Sequence, residues 1–103
     1  MAPQTRQRKP VPASVPHRPW LLGQLKDPET AAAYLIAAIE ENDPGALKLA
    51  LRNVLDARCK ARDADTQRRL HLSLSRRAEV RLFDAMAILS ATGLRLAVEP
   101  IAA

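Results

Sequence analysis

Apolar residues recur along this chain in blocks of helical period, and the stops between blocks are easy to read. Ala31, Tyr34, Leu35, Ala38 and Ile39 fall at helical spacing, so they share one face of a helix, and burial of such a face is what holds a short helix together in water. Asp27-Pro28-Glu29 sets the start. Aspartate at the cap accepts a bond from a free amide, proline suits the first helical position because its missing N–H has no helical partner there, and glutamate favours the positive helix end. Glu40 and Glu41 stand near the far end, before Asn42, and Asp43-Pro44 then repeats the start signal. A second helix is predicted from about Pro44 to Arg58, with Leu47, Ala50, Leu51, Val54 and Leu55 in one stripe. Two helices joined by so short a link run antiparallel or cross steeply, with their stripes facing.

A third helix is expected from about Asp65 to Leu74, burying Leu70 and Leu74, with Ser75-Arg76-Arg77-Ala78 as the break after it. A fourth carries Leu82, Ala85, Met86 and Leu89 at i, i+3, i+4 and i+7 and stops at Gly93, a residue free to take the positive φ of a helix end. Leu94, Leu96 and Val98 alternate with Arg95, Ala97 and Glu99, the period of a short strand, and Pro100 closes it. Residues 1–19 hold five of the eight prolines and no apolar period, so they read as a disordered basic arm. Trp20, Leu21 and Leu22 form the first apolar anchor. The domain is expected over 20–99, with a tail at 100–103.

Composition narrows the fold class. With 103 residues there is room for one domain and a modest core. The only aromatics are Trp20, Tyr34 and Phe83, so the core is built from Ala, Leu, Val and Ile, which favours packed helices over a sandwich or barrel. The expectation is an all-α domain. Cys59 is the single cysteine and cannot form an internal disulfide, and no Cys/His cluster has zinc spacing. No metal or cofactor is expected. Cytoplasmic residence follows from the same cysteine usage, from the lack of an apolar run near the roughly 18 residues that span a membrane, and from an N-terminus without a secretory signal.

Catalysis finds no footing. His17 lies in the arm, His71 in a helix and Cys59 among bases, and none has an arranged partner. Cys59 reads as an ordinary half-buried thiol at a helix end. Glycine-rich phosphate loops and nucleophile motifs are missing, so a non-enzymatic protein is expected.

The net charge of +5 is unevenly laid out. Residues 1–20 carry +4 and residues 21–57 carry −3, whereas residues 58–81 hold eight bases against three acids. A basic window of this kind is the electrostatic footprint expected of a polyanion binder, the solubility-only basic face being the lesser alternative.

Several motifs together resemble a known family. Leu25-Lys26-Asp27-Pro28-Glu29-Thr30-Ala31-Ala32-Ala33-Tyr34-Leu35, then Ala37-Ala38-Ile39-Glu40-Glu41-Asn42-Asp43-Pro44, are similar to the acidic first half of the addiction-module antidote proteins. Ala50-Leu51-Arg52-Asn53-Val54, Ala57-Arg58 and Ala91-Thr92-Gly93-Leu94-Arg95-Leu96 continue the likeness. Those proteins are HigA-like antitoxins with a lambda-repressor-like helix-turn-helix. The resemblance implies a small domain of four to five helices with a short C-terminal strand, acting as a homodimer. It also implies two partners: operator DNA, and a small cognate toxin of the RelE/ParE type.

In the recognition region the family's pattern corresponds to Ala61-Arg62-Asp63 and Thr66 to Ser75, without the usual turn glycine. The resemblance then places Gln67, Arg68 and His71 at the start of a recognition helix, where side chains reach base edges. Arg can bond guanine through two donors and Gln can pair with adenine. Arg62, Arg69, Arg76 and Arg77 are expected on phosphates, contacts that fix position without reading sequence. The acidic first half suits a basic toxin, since opposite charge speeds encounter. Two functions stay open: an antitoxin that represses its own operon, and a divergent relative that binds a protein, or DNA without base readout.

Overall fold

The computed structural model describes residues 17–75 and 79–102. These form five helices, α1 (His17–Gln24), α2 (Pro28–Glu40), α3 (Pro44–Arg58), α4 (Ala64–Ser75) and α5 (Leu82–Ala91). The caps do what their residue types demand. Asp27 accepts from the Thr30 amide and hydroxyl, each at 2.8 Å, and Pro28 opens α2. Asn42 takes φ 57°, a left-handed conformation that asparagine tolerates, and turns the chain into Asp43, which accepts from the Gly45 amide at 3.0 Å. The link between α2 and α3 is therefore as short as the repeated start signal requires.

All four other helices pack on α3. Its buried side is Ala50, Leu51, Asn53, Val54 and Leu55, which meets Leu21 and Leu25 from the α1 end, Ala31, Leu35 and Ala38 of α2, Leu74 of α4, and Ile88 and Leu89 of α5. One ionic side chain ties the ends of this arrangement together. Arg58, in the last turn of α3, donates to the Thr92 carbonyl at 2.9 Å and to the Lys26 carbonyl, so it bridges the α1–α2 turn to the end of α5. The Lys60 amide adds a bond to the Ala91 carbonyl at 2.8 Å.

Gly93 ends α5 as predicted. It has φ +82°, its amide bonds the Ser90 carbonyl, and the Leu94 amide reaches back to the Leu89 carbonyl at 2.8 Å, the double bond of a Schellman cap. A Cβ here would stand 3.0 Å from Lys60 Nζ, the movable tip of a flexible chain, so backbone strain outweighs the clash. Gly93→Ala is expected to destabilise the domain by about 1–2 kcal/mol. Thermal melts of the two proteins followed by circular dichroism check this; an unchanged midpoint would show that the cap relaxes.

Four expectations are corrected. His17, Arg18 and Pro19 belong to the first turn of α1 and not to the arm, whose residues 1–16 lie outside the described residues. Proline is tolerated there because first-turn amides have no helical partner, while Leu21 and Leu25, four apart, supply the buried side. Ile39 is on the rim of α2, about half exposed. On α5 the buried residues are Ile88 and Leu89, with Ala85 half-buried, whereas Leu82 and Met86 are exposed. Nearly every residue of α5 is apolar, so more than one face fits the helical period and only contact with α3 and α4 selects between them. Residues 94–98 form no strand: a strand needs a ladder partner, and the described residues offer none. No helix among the described residues is long and apolar enough to cross a membrane.

Candidate nucleic-acid interface

The basic window folds as the loop after α3 followed by α4. Asp63 caps α4 by accepting from the Thr66 amide at 2.8 Å and from the Thr66 hydroxyl, the same arrangement that Asp27 and Thr30 make on α2. The bond from the Thr66 hydroxyl, reinforced by the Thr66 amide, holds the Asp63 carboxyl below its ordinary pKa. With its amides thus engaged, α4 lays Leu70 and Leu74 against the core and turns Asp65, Arg68, Arg69, Leu72 and Ser75 to solvent.

This geometry divides the predicted site. Arg62, in the loop, and Arg68 and Arg69, on the outer face, are exposed. Arg68 contacts Asp65 one turn earlier, but both side chains are largely solvated, so the pair is weak and Arg68 is released at little cost. Gln67 and His71, two of the three expected base readers, are half-buried and hydrogen-bonded within the chain. Gln67 Nε2 donates to the Ala61 carbonyl at 2.5 Å and helps close the loop onto α4. His71 places Nδ1 2.8 Å from the Gln67 carbonyl and Nε2 2.7 Å from an Asp56 carboxylate oxygen. The spacing carried a signal for this: Gln67, Leu70 and Leu74 stand at i, i+3 and i+7, the core stripe. Arg76 and Arg77 lie outside the described residues.

His71 is one member of a polar network that joins four helices. Asn53, buried on α3, donates to the Tyr34 hydroxyl at 2.9 Å and accepts from Arg18 at 3.3 Å, while Arg18 also pairs with Asp56. Burial alone would push the Asp56 carboxyl up, but hydrogen bonds from His71 and Arg18 outweigh it and its pKa is lowered. The Asp56 bond, aided by the Gln67 carbonyl, raises His71 above its ordinary value, against partial burial and the Arg52 charge. Both ring nitrogens face acceptors, which only the imidazolium can satisfy at once.

The sign of the pH dependence follows. A raised histidine pKa contributes stability that is fully present below the unfolded value of about 6.5 and is lost as pH rises through the higher folded value. The depressed Asp56 pKa acts oppositely, its contribution being lost as pH falls through the folded value, below the ordinary 3.8. An NMR titration is expected to place the folded His71 pKa above 6.5, and Asp56→Asn to bring it down. A His71 pKa at the ordinary value in the unaltered protein would rule the bond out.

Two surface features were not anticipated. A cleft of about 530 Å³ opens between α4 and α5, with Arg69 and Arg81 on its walls beside Leu70, Leu72 and Asp84. On α2, Glu29, Ala33, Ile36 and Glu40 form an exposed stripe in which Ile36 is flanked by carboxylates. Among the described residues no cluster of three His, Cys, Asp or Glu side chains is arranged to hold a metal ion. Compared with known proteins, the chain matches no family model, no curated protein and no solved structure.

Proposed function

We propose that this protein is a DNA-binding regulator of the antitoxin type, in which α3 and α4 serve as the helix-turn-helix and α4 docks on duplex DNA mainly through phosphate contacts. The observation that carries this is the outer face of α4: Arg68 and Arg69, with Arg62 beside them in the loop, stand exposed on a helix whose inner face is locked to the core. Phosphate contacts position a protein on DNA without reading it. With Gln67 and His71 engaged internally, Arg68 is the one outward side chain of the expected readers, and a single bidentate arginine discriminates guanine by about 1–3 kcal/mol.

The test is a titration against the promoter upstream of its own gene and against a scrambled duplex of equal length, at two salt concentrations. Binding to both is expected, falling steeply with salt, with a promoter preference of no more than about a hundredfold. A preference of many thousandfold would mean that Gln67 and His71 leave their internal partners on binding. No binding to either duplex at low salt would remove DNA from the proposal.

A second partner is supported by the α2 stripe. An isoleucine flanked by carboxylates on an acidic segment suits a small basic protein, and a toxin of the RelE/ParE type encoded beside this gene would have that charge. Ile36→Lys is expected to abolish its capture while leaving DNA binding intact; capture that persists would place the partner on another face.

A further inference from the structure

After α5 the period of the sequence and the tertiary surroundings disagree most. Leu94, Leu96 and Val98 alternate with Arg95, Ala97 and Glu99 as a strand would. Yet no backbone group from Arg95 to Ala102 makes a hydrogen bond to any described residue. Leu94 packs against the core and anchors the segment, whereas Leu96 is 46% exposed and Val98 95% exposed. An apolar, strand-patterned segment with free backbone groups is a template for pairing with another chain.

We propose that residues 95–99 pair with the same residues of a second copy, as an antiparallel two-stranded ladder with its two-fold axis at Ala97. The segment is complementary to itself in this register alone. Ala97 faces its own copy, Leu96 faces Val98 of the second copy, and Arg95 faces Glu99 of the second copy. Apolar pairs thus line one face of the ladder and two symmetry-related ion pairs the other, both favourable cross-strand combinations. A parallel in-register arrangement would set Arg95 on Arg95 and Glu99 on Glu99. Shifting the antiparallel register by two residues would place each charge opposite an uncharged residue, and shifting by one would exchange the faces.

The ends of the ladder are set as well. Position 94 faces position 100 across the axis, and neither has an amide to give: the Leu94 N–H is spent on the Leu89 carbonyl, and Pro100 has none. The pairing is isologous, so it closes at a dimer. It names a surface for the homodimer expected of an antitoxin, but requires neither DNA nor toxin.

Cysteine cross-linking of the full chain in a Cys59→Ala background tests the register directly. Opposed residues of an antiparallel pair have Cα atoms about 4.5–5.5 Å apart, within disulfide range, whereas diagonal neighbours are about 7–8 Å apart. Ala97→Cys is therefore expected to form a disulfide-linked dimer under mild oxidant at least about tenfold faster than Leu96→Cys or Val98→Cys alone. Mixing the Leu96→Cys and Val98→Cys proteins is expected to give the hetero-linked dimer. Adding Glu99→Arg should slow Ala97→Cys cross-linking roughly tenfold, and adding Arg95→Glu to that variant should restore it. Cross-linking of Ala97→Cys no faster than that of its neighbours overturns the proposal, and so does a charge reversal without effect or without rescue. No DNA is present in this experiment, so its failure leaves the DNA-binding reading untouched, and loss of DNA binding leaves the pairing untouched.

Discussion

Replacing Arg62, Arg68 and Arg69 together by alanine is expected to weaken binding to duplex DNA on the order of a hundredfold at about 0.1 M salt. The same change should reduce the slope of log K against log salt by about three, since each neutralised phosphate releases a condensed counterion. The loss should be nearly equal on promoter and scrambled duplexes, apart from the one base that Arg68 can read. Fluorescence anisotropy with both duplexes across a salt series measures affinity and slope together. Stability should hardly change, because the three side chains are exposed and the Arg68–Asp65 pair is solvated. A triple variant that stays folded and keeps both affinity and slope would move the DNA contact away from α4. A variant that loses only the promoter preference would mean that these arginines read bases more than they hold the backbone.

Leu55→Ala is expected to cost about 3 kcal/mol, within the range of roughly 2–5 for a buried leucine. Leu55 has no solvent exposure and lies on α3, the helix on which all four others pack, so a cavity there borders the whole core and no single neighbour can move to fill it. In a domain of this size each kcal/mol moves the melting midpoint by about 4–8 °C, so a fall of roughly 12–24 °C is anticipated. Leu49→Ala is the control: the same deletion on the same helix, at a side chain 57% exposed, should cost less than about 0.5 kcal/mol. Equal effects at the two positions would mean that α3 is not the centre of the core.

Much of this architecture was legible before any coordinate. The starts of α2 and α3 follow from Asp27-Pro28 and Asp43-Pro44, because cap hydrogen bonds and proline geometry act over three or four residues and need nothing distant. Gly93 marked the end of α5 for the same local reason. The third expected helix was found within a residue of its bounds. Asp63 and Asp65 both suit its cap from sequence alone, and the bond to Thr66 decides for Asp63.

The candidate site was less legible. Arginines on α4 were visible as charge, but whether a polar side chain on a helix faces solvent or a neighbour depends on partners far away in sequence. His71 meets Asp56 and Arg18 reaches both Asp56 and Asn53, contacts that no local pattern announces. Gln67 and His71, expected as readers of DNA, thus turn out to hold hydrogen-bond partners within the chain.

By itself, then, the sequence determined the all-helical class, the helix boundaries set by caps, and the concentration of positive charge around α4, all of which depend on near-neighbour chemistry or on composition. Tertiary structure decided which face of α5 is buried, that α1 exists and is tied to α3, that the predicted strand has no ladder partner among the described residues, and which polar side chains of α4 face outward. Those outcomes depend on contacts between residues many positions apart, where many packings satisfy the same period and only the folded core selects one.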